Sequence, residues 1–209
     1  FDDLDPLKAE DQVEVVMVPP GQPLPHDAGL VVIPGTKSTI ADLIAFRDNG
    51  WERDLHAHVR RGGHVLGICG GFQMLGNRIS DPGGIEGQVR EIDGLGLLDV
   101  NTVMEPEKVV RNVAAHSQLY DAALDGYEIH IGRTNGTDAI RPFSRIGDHD
   151  DGAVSANGRV MGTYLHGVFG ADEFRRQFLA TLGVSSSGEN YRAGIEMALD
   201  ELADGLERC

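Results

Sequence analysis

Cysteine is nearly absent from this chain of 209 residues: there are two, Cys69 and Cys209, the second at the last position. So few thiols exclude a disulfide framework and suit a reducing compartment, so a cytoplasmic location is expected. Basic residues are also scarce, 18 Lys and Arg against 33 Asp and Glu, for a formal charge of −15. A surface of that sign repels phosphate backbones and anionic headgroups, so neither nucleic acid nor membrane is an expected partner. No apolar run approaches the roughly 20 residues of a membrane helix, and no signal peptide opens the chain. Nor does the chain begin with Met: it starts at Phe1, and is expected to be an excised part of something longer. What remains is an ordinary globular composition, 41% hydrophobic and 24% charged, in a length that builds one domain with an ample core.

Strand and helix patterns alternate. Residues 13–18 form a β-branched run and Leu30-Val31-Val32-Ile33 a short, fully apolar one, both read as strands. The second ends at Pro34-Gly35-Thr36-Lys37-Ser38-Thr39, after which residues 40–46 have helical spacing with Ser38 or Thr39 as cap. Residues 51–60 form a second helix, stopped by Gly62-Gly63. Residues 79–96 are glycine-rich and expected to loop. Residues 97–104 and 108–115 read as a hairpin around Glu105-Pro106, and residues 126–132 as a strand placing Glu128 and His130 on one face. Asn157-Gly158 marks a hairpin leading into a strand over 160–166, and helices are expected at about 172–182 and 190–206. This alternation predicts an α/β fold with an open, mostly parallel twisted sheet and flanking helices.

The chain is organised around Val65 to Gly76. An apolar strand ends in Cys69, two glycines follow, and Phe72-Gln73-Met74-Leu75 opens a helix. Strand, sharp turn and helix with a nucleophile between glycines is a nucleophile elbow, here Gly-x-Cys-x-Gly. A cysteine ending a strand is commonly just a small buried hydrophobe. Here, Gly67 and Gly71 leave room around a strained turn, and the helix start favours thiolate over thiol, which points to a nucleophile. Gly35 ends the neighbouring strand on the side where open sheets bind ligands; its N–H and that of Gly70 could form an oxyanion hole, the alternative being a plain turn. Gly-Thr-Lys-Ser-Thr is not a phosphate loop, because no glycine stands at the required upstream spacing.

Of eight histidines, His56 and His58 lie two apart on a helix and so cannot pair on a metal; no metal site is expected. His26, His64 and His149 sit near turns, and His116 and His130 are ambiguous. His166 ends an apolar strand before Gly167, where a sheet presents active-site groups, and is the candidate base. A base needs its second nitrogen held. Val168 cannot do this, which leaves Glu128 or a backbone carbonyl.

Residues 34–43, 67–76 and 162–169 together resemble the class I, triad-type glutamine amidotransferase domain of the cobyric acid synthase family. Residues 126–132 and the opening Asp3-Leu4-Asp5-Pro6-Leu7 fit the same family. The resemblance implies a flavodoxin-like fold over residues 12–209, with 1–11 as linker from an upstream synthetase domain. It implies that Cys69 attacks L-glutamine through a thioester, that Gly35 or Thr36 with Gly70 holds the oxyanion, and that His166 moves protons. Gln73 matches the position that contacts substrate, and His130, Gly132 and Arg133 match a substrate-binding strand. No cofactor is expected in this chain. ATP and Mg belong to the synthetase domain, which would amidate corrinoid carboxylates with the ammonia released. The chain departs from many triad glutaminases in carrying Val168 where they have an acid. The rival readings are the amidotransferase of a related synthase, for cobyrinic acid diamide or peptidoglycan precursors, a silent docking module, and a hydrolase of another amide.

Overall fold

The computed structural model describes residues 2–188 and, beyond these, 190, 191, 193, 194, 196, 197 and 200. Most of the helix expected over 190–206, and Cys209, lie outside them. The architecture is α/β, built on an open, mostly parallel sheet with helices on both faces. Its strands are β1 (Leu30–Ile33), β2 (His64–Ile68), β10 (Val160–Thr163) and β9 (Ala153–Val154), in that order. β1, β2 and β10 run parallel, and only β9 is antiparallel, joined to β10 through the predicted Asn157-Gly158 turn.

β2 is buried on both sides, as its unbroken apolar sequence requires. Val65 faces a cluster with Leu43 and Phe46 of α2 (Thr39–Asp48), Leu55 of α3 (Trp51–Arg60) and Phe72 and Leu75 of α4 (Gly70–Leu75). Leu66 and Ile68 face the other cluster, with Phe174 and Phe178 of α5 (Asp172–Thr181). Each such side chain, fully buried, contributes about 1.5–3 kcal/mol. Ser38 stands at the N-cap of α2 but makes no side-chain cap bond. Glu86 accepts the Ile40 N–H instead, at 2.8 Å, from a loop 46 residues away.

A second, largely antiparallel sheet lies beside the first. Its spine is a ribbon of two long strands, β5 (Val100–Ser117) and β6 (Ala122–Gly136), extended by β3 (Arg78–Ser80), β4 (Glu91–Asp93), β7 (Ser144–Ile146), β8 (His149–Asp151) and β11 (Leu165–His166). The hairpin expected around Glu105-Pro106 is instead a bulge within β5: the register slips between Val103 and Lys108, and both halves pair with β6. Pro106 has no N–H to give a ladder, and a bulge tolerates that. The stretch expected to loop from 79 to 96 is interrupted by β3 and β4, and loops between them and again after β4. The strand expected at 13–18 does not form; the stretch carries no ladder, with Val16 and Met17 exposed.

The opening segment, expected to be a linker, is folded onto the domain. A 3₁₀ turn (Asp2–Leu4) runs into α1 (Asp5–Lys8), with Pro6 at the helix start. Leu4 and Leu7 are buried in the cluster that holds Phe169, Phe174 and Phe178. Their spacing of three puts both on one face, which the sequence already contained.

Candidate active site

Cys69 sits between β2 and α4 at φ 53°, ψ −112°, a left-handed conformation that an L side chain adopts only under constraint. Three contacts impose it. The Cys69 N–H donates to the Thr163 carbonyl at 2.8 Å. A Cβ at Gly67 would come within 2.7 Å of the Gly71 carbonyl, and one at Gly71 within 2.0 Å of the Ile33 carbonyl oxygen. Both positions therefore exclude any side chain, and the elbow packs against the end of β1. The sulfur reaches β6, where Sγ lies 3.0 Å from the Ile129 carbonyl oxygen.

His166 arrives from the other sheet. β10 ends at Thr163, the chain turns at Tyr164, and β11 pairs with β6, His166 opposite Tyr127. Buried Asp151 fixes this corner: its Oδ2 accepts Thr163 Oγ1 at 2.5 Å and its Oδ1 accepts the Tyr164 N–H at 3.0 Å. Burial raises the pKa of Asp151. The His166 ring stacks on Tyr127, centroids 4.9 Å apart and planes 1° apart. Its Nδ1 donates to Asp3 Oδ2 at 2.9 Å, and its other side is hydrogen-bonded to Cys69. Burial opposes a charged ring here, but the bonds to Asp3 and Cys69 outweigh it and raise His166 to about 9.

Gly35 closes the third side. A Cβ there would stand 3.0 Å from His166 Cε1 and 3.5 Å from Cys69 Cβ, so the bare backbone lies against both residues. Thr36 is next to Gly70: a Cβ on Gly70 would meet Thr36 Cγ2 at 2.3 Å and Thr36 N at 3.3 Å. The Thr36 hydroxyl donates to the Asp42 carboxylate, and α4 has no side-chain cap. Gly35, Thr36 and Gly70 thus come together around Cys69.

The expected substrate contacts fare differently. Gln73 is 2% exposed, and its carboxamide is already engaged: Thr39 Oγ1 donates to it at 2.9 Å, and its Nε2 donates to the Ile131 carbonyl at 2.8 Å and the Tyr164 hydroxyl at 3.2 Å. In this state it braces β6 against the elbow. His130, Gly132 and Arg133 line an open cleft of about 420 Å³ with Glu105, Glu128 and Tyr164; neither Cys69 nor His166 lines it. Gly132, at φ 95°, sits opposite the β5 bulge, and Arg133 is largely exposed, 3.8 Å from Glu105.

Glu128 does share a face with His130, as strand alternation requires, but it does not reach His166. It accepts His130 Nε2 at 2.9 Å and Arg111 Nε at 2.7 Å. Burial opposes its charge, and those two bonds prevail, holding it below the ordinary carboxylate range. The residue on His166 is Asp3, 163 positions away. The apolar spacing and proline of the opening Asp3-Leu4-Asp5-Pro6-Leu7 mark a folded turn, but nothing in them names the partner of Asp3. Among the described residues, no group of three His, Cys, Asp or Glu could hold a metal, and no helix is long and apolar enough to cross a membrane.

Three comparisons place this geometry. A family model for the CobB/CobQ-like glutamine amidotransferase domain matches residues 1–174. Cobyric acid synthase of Brucella anthropi is 75% identical over the whole chain, and that of Brucella canis 75% identical over 99% of it; the chain spans 43% of each. Among solved structures, a chain of PurLQS from Thermotoga maritima superposes with a TM-score of 0.63 at 18% identity, over 87% of this chain and 91% of that one. A glutamine amidotransferase crystal structure gives 0.52 at 19%, over 75% and 80%. The two structures speak to the fold, and the family match and the relatives to descent. This chain belongs to the CobB/CobQ-like glutamine amidotransferase domain family.

Proposed function

We propose that the chain is the glutaminase part of a glutamine-dependent carbon–nitrogen ligase, and that Cys69 is its nucleophile. The observation that carries this is the meeting of Cys69, His166 and the bare backbone of Gly35 at a strained elbow. The Cys69 thiolate attacks the side-chain amide carbon of L-glutamine, and the charge moves to the carbonyl oxygen. The N–H groups of Gly35 or Thr36 and Gly70 stabilise that oxyanion. As the C–N bond breaks, protonated His166 gives its proton to the departing nitrogen, releasing ammonia and leaving a glutamyl thioester. His166, now neutral, takes a proton from water as the oxygen attacks the thioester carbon. The C–S bond then breaks, restoring the thiolate and freeing glutamate. A pKa of about 9 suits His166 to the first of these transfers, since it is protonated at neutral pH.

In the longer protein, ammonia passes to an ATP- and Mg-dependent synthetase domain that amidates corrinoid carboxylates in the cytoplasm. The share of its relatives that this chain spans, and their name, support that reading. Labelling with a glutamine-mimicking diazoketone tests the nucleophile. Peptide mapping should find the adduct on Cys69, with Cys209 largely unmodified; equal labelling of both thiols, or of Cys209 alone, rejects the assignment.

A further inference from the structure

The position two beyond His166 is Val168, fully buried in the apolar cluster with Phe169 and Phe174. No acid stands there to hold the ring. Asp3 does so from the other end of the chain, with both carboxylate oxygens engaged. Oδ2 accepts His166 Nδ1–H at 2.9 Å, and Oδ1 accepts the Gly167 N–H at 2.7 Å. One carboxylate therefore fixes the ring and the backbone that follows it, and Asp3 is only 6% exposed.

The segment that carries Asp3 is seated by two devices. Leu4 and Leu7 are buried in the core. Two residues past the end of α1, Glu10 meets Arg175 of α5 at 2.6 Å, each side chain 2% exposed. Glu10 also accepts Ser186 Oγ at 2.7 Å and the Ser187 N–H at 2.6 Å; although burial works against its charge, these partners bring it down to about 2. Arg175 Nη1 donates in turn to the carbonyl of Phe169, three residues beyond His166. Lifting the segment would take Glu10 from buried Arg175, whose other partners include Asp172 at 2.9 Å and the Phe169 carbonyl, and so would weaken a buried ion-pair network.

We propose that Asp3 is the positioning residue of His166, and that seating of the amino-terminal segment through Glu10 and Arg175 makes the Cys69–His166 couple competent. Competence at the elbow is thus set by a segment outside the parallel sheet. The titratable groups that face His166 are Asp3 from the amino-terminal turn, Cys69 from the elbow and Tyr127 from β6; Gly35 adds only backbone. The geometry stands without the glutaminase reading, while the catalytic consequence rests on it.

Nitrogen-15 NMR of His166 in the full chain is the primary test and needs no variant at Asp3. Nδ1 should carry a hydrogen-bonded proton across the neutral range, and an unprotonated Nδ1 overturns the proposal. Asp3→Asn should lower the midpoint of His166 by more than one pH unit and shift the pH profile of Cys69 alkylation by iodoacetamide, followed by peptide mapping. Asp3→Glu should recover part of both. Glu10→Gln, which touches neither Cys69 nor His166, should move the His166 midpoint in the same direction by a smaller step. Unchanged midpoints in Asp3→Asn and Glu10→Gln would also overturn it. If the midpoints move but no glutamine is turned over even by the wild type, the proposal stands and the glutaminase reading falls. With that reading intact, kcat for glutamine falls about 10²-fold or more in Asp3→Asn, by analogy with the about 10⁴-fold loss for the Asp→Asn change in a serine protease triad. KM should be little changed.

Discussion

The chain holds two histidines built almost alike. His166 donates to Asp3 at 2.9 Å and stacks on Tyr127; His130 contacts Glu128 at 2.9 Å and stacks on Tyr164, with centroids 3.9 Å apart. Both carboxylates are buried. The difference lies at the second ring nitrogen. In His166 it faces Cys69, whereas in His130 it is tied to the Gly132 carbonyl at 3.0 Å. His130 has no nitrogen left for a reacting atom, and Glu128 is shared with Arg111. A histidine, a carboxylate and an aromatic ring therefore do not make a base. In the proposed mechanism what makes one is a ring nitrogen left facing Cys69, and of these two sites the one between the two sheets provides it.

The largest effects should break this comparison outright. Cys69→Ala and His166→Ala are each expected to reduce glutamine hydrolysis by about 10⁴-fold or more, and the double variant should be no worse than either, because residues acting as one unit are not additive. His130→Ala should act chiefly on KM or stability. Steady-state kinetics on the three variants separates the cases. A His130→Ala loss as large as that of His166→Ala would erase the distinction.

The carboxylates give the next contrast. Asp3→Asn is expected to lower kcat by about 10²-fold or more, and Glu128→Gln to leave it within about threefold. The Glu128 variant loses a charged bond to Arg111 and so should melt earlier without losing its chemistry. A 10²-fold loss in Glu128→Gln with Asp3→Asn near wild type would invert the assignment.

These two carboxylates also mark how far the sequence could be read. Around Cys69 the determinants are local: an apolar strand, two glycines and a helix start lie within twelve residues, and the structure reproduces β1, β2, α3 and the elbow where the pattern put them. Gly35 and Gly70 come together because consecutive strand ends neighbour each other in a parallel sheet. Asp3 meets His166 across 163 positions, and neither a periodicity nor a spacing encodes such a contact. Glu128 looked apt because strand alternation reports which residues share a face, but not which strand that face will meet. The β5 ribbon was missed for a related reason. A proline between two alternating runs reads as a turn, while pairing of both runs with one partner turns it into a bulge. The strand at 13–18 failed in the opposite sense: the residues favour a strand, but no ladder receives them.

Gly35 should separate chemistry from folding more finely. Gly35→Ala places a methyl group 3.0 Å from His166 Cε1, a contact that a small ring shift relieves, and Gly35 is not among the glycines at positive φ. The variant should fold with a Tm within a few degrees of wild type and lose about tenfold or more in kcat, since a displacement near 1 Å costs on the order of 10²-fold. Gly71→Ala, which sets a methyl 2.0 Å from the Ile33 carbonyl oxygen, should instead destabilise the chain by about 1–3 kcal/mol or more. Kinetics alongside thermal melts distinguishes them. Equal losses of stability would mean that Gly35 serves the fold and not the site.

The smallest effect, and the most specific to Asp3, is on the pH dependence of stability. The folded chain holds the His166 proton to about pH 9, and an unfolded histidine releases it near pH 6.5. The folded state therefore binds the proton more tightly, and the stabilisation is fully present below about pH 6.5. It declines as pH rises towards about 9 and is lost above that. Replacing Asp3 by Asn removes the first of the two partners, Asp3 and Cys69, that raise the His166 value, so the variant should lack much of this decline. The difference in unfolding free energy between wild type and Asp3→Asn should thus be largest near pH 6 and shrink steadily to pH 9.5, while other titrations shared by both proteins cancel. Urea unfolding at half-unit steps of pH measures it. The same series on Glu128→Gln should stay flat across that window, because Glu128 titrates well below it. A flat difference for Asp3→Asn would mean that the two groups do not share a proton-linked bond in solution, and that His166 is oriented by its packing against Tyr127 and Gly35 alone.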